Sequence, residues 1–186
     1  MRIKNPNRRQ MDFHTSLEHE VHYSAKDRDD GLYTMCMDAI FHTLEFCESN
    51  AAIFVRTRFD EEAVGRMLPS LASLAGRFKK EFGCSTLKWF NGSRIEIRHI
   101  GDDEYSLWKL AGAEWQWLYL FDSSLFTGEQ VAYLKTRARN YPNTHYHSVR
   151  HIVLRNTQGN ISREEHHVDV LHHSHPLPDG DEPERG

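Results

Sequence analysis

Hydrophobic and polar positions follow two periods along this chain, and the points where one yields to the other mark its elements. Trp117, Leu118, Tyr119, Leu120 and Phe121 form a continuous apolar and aromatic run, the pattern of a strand buried on both faces. The run stops at Asp122 and turns through Ser123, Ser124 and Phe126. Thr127, with Gln130 three residues on, then starts a helix whose apolar face is Val131, Leu134 and Ala138, with Lys135, Arg137 and Arg139 on its flanks.

Upstream, Met1–Glu20 reads as an irregular or partly helical lead-in, and Glu20–Ser24 as a short strand. Ala25–Gly31 (AKDRDDG) reads as a charged loop. Leu32, Met35, Cys36, Ala39, Ile40, Leu44 and Cys47 recur at helical spacing, predicting a largely buried helix over Leu32–Cys47. Ala51–Arg56 is a buried strand. Asp60 caps a further helix whose stripe runs through Val64, Met67, Leu68, Leu71, Leu74, Ala75 and Phe78, with Pro69 kinking or splitting it and Gly83 ending it. Thr86–Phe90 and Arg94–Ile100 alternate as strands around Asn91-Gly92, a hairpin signal. Leu107–Gly112 is a short helical or looped connection, and His147–Leu154 a last strand. Strands alternating with helices predict an α/β domain with a mainly parallel sheet, helices on both faces and a β-hairpin insertion.

Composition narrows this picture without redirecting it. The 186 residues are 39% hydrophobic and 11% aromatic, with a net charge of −4, as expected of one globular domain over residues 1–165. A His-rich and then acidic tail, 166–186, is expected to be disordered. No apolar run is long enough to span a membrane and no signal peptide is recognisable, so the expectation is a cytoplasmic protein. Cys36, Cys47 and Cys84 show no C-x-x-C spacing and are read as reduced thiols. The four tryptophans, Trp89, Trp108, Trp115 and Trp117, are read as core.

Asp122, at the carboxyl end of a buried strand, has the form of a Walker B aspartate that would hold a nucleotide-bound metal. An aspartate that only caps a turn has the same form, and both readings stand.

Taken in order, the pieces resemble the N-terminal ATPase domain of the large terminase subunit of tailed phages, over roughly Arg9 to Ser162. Arg9-Gln10 with Phe13-His14 is similar to the segment ahead of that family's phosphate loop. His22-Tyr23-Ser24 resembles the strand entering the loop, and Asp38-Ala39-Ile40 the helix leaving it. Ala52–Arg58 resembles the second strand with its Arg-rich end. Phe90–Ile95 is similar to the family's F-x-N-G-S-x-I hairpin, and Lys109–Glu114 to the G-x-E element. Tyr119–Asp122 with Leu125-Phe126-Thr127 resembles Walker B and its turn, and Leu134–Arg139 the L-x-x-R-x-R helix end. Arg155–Asn160 falls at the coupling segment.

The resemblance implies a P-loop NTPase-like fold of the RecA/ASCE type. It further implies an ATP-driven motor packaging double-stranded viral DNA into a prohead, in an infected or prophage-carrying bacterial host. A small terminase subunit, a portal and a homo-oligomeric ring would be the partners. ATP and Mg²⁺ would be the cofactors, Asp122 the magnesium ligand, and Asp122 and Ser123 the catalytic positions. Gln10 would lie near adenine, Ser24, Lys26, Arg28 and Thr34 near the phosphates, Asn156 and Thr157 would sense the γ-phosphate, and Arg137 and Arg139 would meet DNA.

The departures weigh against turnover. Where G-x-x-x-x-G-K-[ST] belongs, Ser24–Thr34 holds one glycine, no Gly-Lys-Ser/Thr and three aspartates. A carboxylate near a phosphate is repulsive by about 1 kcal/mol in water-like surroundings and by several at lower dielectric. Ser123 stands where the family has its general-base glutamate, and serine is no base at neutral pH. That role would need Glu114 or Glu129. Arg155 replaces a small residue in the coupling segment, and no carboxylate cluster suits a two-metal nuclease. The activity is therefore expected to be weak or absent. The alternative is a silent, terminase-like remnant that binds DNA or a partner. Separately, His166, His167, His172, His173 and His175 form a tract able to chelate metal.

Overall fold

The computed structural model describes residues 5–72, 76–81, 84–140 and 146–155. The elements are α1 (Arg8–Thr15), β1 (Glu20–Ala25), α2 (Arg28–Glu45), β2 (Asn50–Val55), α3 (Arg58–Ala72), β3 (Gly76–Glu81), β4 (Cys84–Trp89), β5 (Arg94–His99), α4 (Glu104–Trp108), β6 (Trp117–Phe121), α5 (Gly128–Lys135) and β7 (Ser148–Leu154), with a single 3₁₀ turn over Ser123–Leu125 among the described residues. The His-rich tract, Asn156 and Thr157 lie outside the described residues.

Among the described residues, seven strands form one sheet in the order β1-β7-β6-β2-β5-β4-β3. The first five run parallel, while β4 is antiparallel to β5 and β3 antiparallel to β4. The chain thus lays β7 between β1 and the Asp122 strand. β2 and β6 are buried at every position, as parallel strands covered on both faces must be.

One face carries Ala51, Ile53, Val55, Trp117, Tyr119 and Phe121 against Phe13 of α1, Leu32, Met35 and Ala39 of α2 and Val64 and Leu68 of α3. The other carries Ala52, Phe54, Leu118, Leu120 and Val149 against Leu134 of α5, with Leu110, Phe126 and Ala138. The predicted α/β layering with helices on both faces and an inserted hairpin is the observed one.

Several boundaries differ for identifiable reasons. α2 begins at Arg28, so most of the expected charged loop is helix: Asp27 is its N-cap, and Asp29 and Asp30 occupy its first turn. Carboxylates there favour the positive end of the helix macrodipole and read equally well as loop composition. α3 ends at Ala72, and Phe78 lies in β3, which pairs Gly76–Glu81 with Cys84–Trp89. Pro69 sits inside α3 without splitting it. Trp108 is exposed, whereas Trp89, Trp115 and Trp117 are core. α4 begins ahead of the expected connection, and α5 stops at Lys135, leaving Arg137, Ala138 and Arg139 in the following turn.

The Phe90–Ile95 signature acts as a tie between elements. The Asn91 amide donates to the carbonyls of Thr43 (2.9 Å) and Leu44 (3.3 Å) at the end of α2. Ser93 Oγ donates to the Phe46 carbonyl at 2.7 Å and accepts from Ser49 N–H at 3.0 Å. Gly92 takes φ = 84°, which a side chain rarely adopts. Orphan carbonyls at a helix end and a hairpin turn are satisfied by the same residues.

Candidate functional site

The carboxyl ends of β1, β7, β6, β2 and β5 open on one edge of the sheet, where α/β folds bind ligands. Asp122 leaves β6 there, in left-handed backbone (φ 50°, ψ 66°). Its Oδ1 accepts from Ser124 Oγ at 2.7 Å, and Ser123 follows in the 3₁₀ turn. β6 is two strands from β1, about 10 Å at the usual strand spacing.

At the end of β1 the phosphate cradle of a P-loop is not built. Only Lys26 and Asp27 separate β1 from α2, too few to wrap a ring of backbone N–H groups around a phosphate. Asp27 accepts from Asp30 N–H at 2.8 Å, capping the helix. Asp30 turns back over the strand end: its Oδ2 accepts from Lys26 N–H and Tyr23 O–H, both at 2.9 Å, and its Oδ1 from Gln10 Nε2 at 3.0 Å. A carboxylate of the chain thus occupies the turn where an anion would meet backbone N–H groups. Burial, with Asp30 beside it, pushes the Tyr23 phenol up, keeping it a donor.

Gly31, one turn into α2, allows the helix to lie directly on the sheet. A Cβ there would stand 3.0 Å from Ile152 Cγ2 and Leu154 Cδ2 and 3.2 Å from Ala25 Cβ.

The other sequence-derived candidates separate into four groups. Gln10 and Thr34 are together and buried: Gln10 Nε2 donates to Thr34 Oγ1 at 2.8 Å as well as to Asp30, and Gln10 Oε1 accepts from Asn7 N–H in a capping box. Both amide hydrogens of Gln10 are committed inside the protein, and Thr34 is fully enclosed. Ser24 Oγ accepts from Arg155 Nε at 2.8 Å, and Lys26 is exposed beside them. Arg28 points elsewhere, to Asp60 Oδ1 through Nε (2.9 Å) and Nη2 (2.7 Å), with its guanidinium over Phe59.

Arg137 and Arg139 lie at the opposite edge. Arg137 O accepts from Trp115 N–H, and Arg139 N–H donates to Trp115 O, ahead of the start of β6. Glu114 pairs there with Arg139 at 3.4 Å, a strand length from Asp122, so the structure does not bring the two carboxylates together. Glu129 is exposed in the first turn of α5.

A cavity of about 510 Å³ remains beside the closed turn, lined by Arg8, Arg9, Lys26, Arg155, Tyr23 and Asp30 among others. Four cations and one carboxylate make it attractive to anions. Arg8 and Arg9 come from α1, a helix the sequence pattern leaves half-defined because its signal is the polar capping box of Asn7 and Gln10.

No protein-family model and no curated protein matches the sequence. The fold does have counterparts among solved structures. The chain is similar to the large terminase of a thermophilic bacteriophage, with a TM-score of 0.62 and 14% identity over 81% of this chain and 39% of that one. It is similar to the large terminase of bacteriophage HK97, with a TM-score of 0.59 and 9% identity over 81% of this chain and 33% of that one. For a variant of the large terminase ATPase domain of Thermus phage P74-26 the values are 0.54 and 15%, over 82% and 67%.

The class is therefore an α/β fold of the P-loop NTPase type, with a mainly parallel sheet between helices. Within that class the fold is that of phage large terminase ATPase domains, and the chain spans about two fifths of the length of the thermophilic phage's terminase. That terminase has been solved with ADP and with ATP-γ-S.

Proposed function

We propose that this chain is a terminase-type motor domain in viral DNA packaging whose nucleotide chemistry is silent, and that it serves as a non-hydrolysing module for DNA or for a packaging partner. The observation that carries this reading is the Asp30 carboxylate on Lys26 N–H. It meets the strand-to-helix turn as a phosphate oxygen would, and it is covalently part of the chain. An ATP phosphate would have to displace it, break the Tyr23 and Gln10 hydrogen bonds and unwind the first turn of α2. Ser123 adds the absence of a base next to Asp122. Asp122 fits a magnesium ligand by position, but without a cradle it has no triphosphate to share the ion with.

In this role the partners are double-stranded DNA, a small terminase subunit and a portal, with a homo-oligomeric ring as the working assembly in the cytoplasm of the host. Arg139, exposed at the edge opposite Asp122, and Arg137, stacked on Tyr133, would meet DNA phosphates.

Calorimetry with ATP and ATP-γ-S, with and without Mg²⁺, together with a phosphate-release assay, tests the reading. The expected result is no binding tighter than millimolar and no release. Micromolar, Mg²⁺-dependent binding with turnover would overturn it.

A second reading rests on the cavity of Arg8, Arg9, Lys26 and Arg155. There a nucleotide would be held by side-chain cations alone and act as a switch without hydrolysis. Micromolar binding without phosphate release is its signature.

A further inference from the structure

Away from the carboxyl edge, β1 is one of the two edge strands of the sheet among the described residues, and its outward positions Glu20, His22 and Ser24 are exposed on the face that carries α5. The parallel register sets His22 directly beside His151 of β7. Glu20 and His22, two residues apart, point to the same side of the strand as their neighbour. Residues far apart in sequence thereby place two imidazoles and a carboxylate on one small patch.

We propose that Glu20, His22 and His151 form a binding site for a borderline divalent cation of the zinc class, closing the β1–β7 edge. Their candidate ligand atoms all lie within 4.8 Å of one another. His151 Nε2 is 3.0 Å from Glu20 Oε1, and His22 Nε2 is 3.6 Å from the same oxygen. Around a tetrahedral ion with bonds of about 2.0–2.2 Å, ligand atoms stand roughly 3.3 Å apart. The set is therefore gathered to within a small side-chain rotation of a coordination shell.

A second, independent observation is the state of His151. Its side chain is 5% exposed, and Nε2, though close to Glu20, lies off the line of a hydrogen bond and has no such partner among the described residues. A buried imidazole nitrogen beside a carboxylate but not bonded to it is an unfilled requirement. A metal ion seated between them meets it. The His22 and His151 rings stack at 4.3 Å, and the Nε2 atom of each lies near Glu20 Oε1.

Lys135 of α5 now holds the carboxylate, with Nζ 2.6 Å from Glu20 Oε1. Its half-exposed ammonium is a cation on a flexible stem, and a divalent ion with two nitrogen ligands would displace it. Two imidazoles and one carboxylate suit Zn²⁺ in preference to Mg²⁺ or Ca²⁺, which take oxygen ligands. The fourth position would open to solvent, since Glu20 and His22 are exposed.

The test uses the full chain with His166, His167, His172, His173 and His175 replaced by Asn, so that the tail does not compete. Zn²⁺ titration by calorimetry should give one equivalent of micromolar affinity, and Co²⁺ should give the visible absorption bands of a four-coordinate site. His22→Ala, at an exposed position, should weaken Zn²⁺ binding at least tenfold and abolish the Co²⁺ bands while circular dichroism is unchanged. Lys135→Ala should tighten binding several-fold by removing the competing cation, an effect foreign to a purely structural cluster. Unchanged affinity in His22→Ala, or no Zn²⁺ binding at micromolar concentration by the tail-substituted chain, would overturn the proposal. Neither result bears on the nucleotide reading, whose residues are separate.

Discussion

The Tyr119 hydroxyl donates to Asp38 Oδ2 at 2.8 Å in the centre of the larger core, joining β6 to α2. His14 Nδ1 from α1 lies 2.6 Å from the other oxygen, Arg150 Nε from β7 is 3.3 Å from Oδ2, and His42 Nε2 is 3.4 Å from Oδ1. Arg150 continues to the carbonyls of Phe13 and Ser16. Four elements, α1, α2, β6 and β7, thus meet on one fully buried carboxylate. Burial raises the Asp38 carboxyl, but the hydrogen bond from His14, the nearby His42 imidazole and the Arg150 charge outweigh it and hold the group down at about 2.

Asp38→Ala should therefore be severely destabilising. It leaves the Arg150 guanidinium buried without its carboxylate, and breaking one side of a buried pair costs about 3–5 kcal/mol. Urea unfolding should show that loss with little change in m-value. A loss under about 1 kcal/mol would mean that water or the carbonyls alone satisfy Arg150.

The same group sets an acid limit. Its folded pKa lies below its unfolded value of about 3.9, so its stabilisation is present above that value and disappears as pH falls toward about 2. The shift corresponds to about 2–3 kcal/mol. Thermal melts of the wild type should fall steeply between about pH 4 and 2, and Asp38→Asn should flatten that limb.

Gly31→Ala weighs helix propensity against close approach. Alanine gains about 1 kcal/mol in a helix interior. Its Cβ would press Ile152, Leu154 and Ala25 at 3.0–3.2 Å, and overpacking costs about 1–3 kcal/mol. Net destabilisation of roughly 1 kcal/mol is expected by chemical denaturation. A more stable variant would show that α2 can lift off the sheet.

These contacts also explain what could be read from the sequence. Trp117–Phe121 and the Thr127–Gln130 capping box are local patterns, and both stand in the structure as the linear chain implies. Phe78 continued a helical stripe by spacing alone, and only pairing with β4 makes its segment a strand. Asp27, Asp29 and Asp30 are as suited to a helix start as to a loop, so the length of the β1–α2 turn was not legible. That length decides whether a ring of backbone N–H groups can form between β1 and α2. Glu20 and His22 share a strand face visibly, but His151 joins them only through the β1–β7 register, which no local pattern carries.

The closed turn predicts the outcome of repairing the site in parts. Asp30→Asn removes one negative charge from the cationic cavity while keeping an acceptor for Lys26 N–H. Lifting a repulsion of about 1 kcal/mol should raise affinity for inorganic pyrophosphate about fivefold, read by calorimetry. Adding Ser123→Glu supplies a carboxylate beside Asp122, the position of the base in the family this chain resembles. The double variant should still release no phosphate from ATP, because neither change lengthens the Lys26-Asp27 connection into a backbone cradle. A base without a positioned triphosphate has nothing to act on. Turnover in the double variant would show instead that the carboxylates alone had silenced the site, and that α2 unwinds readily enough to rebuild the loop.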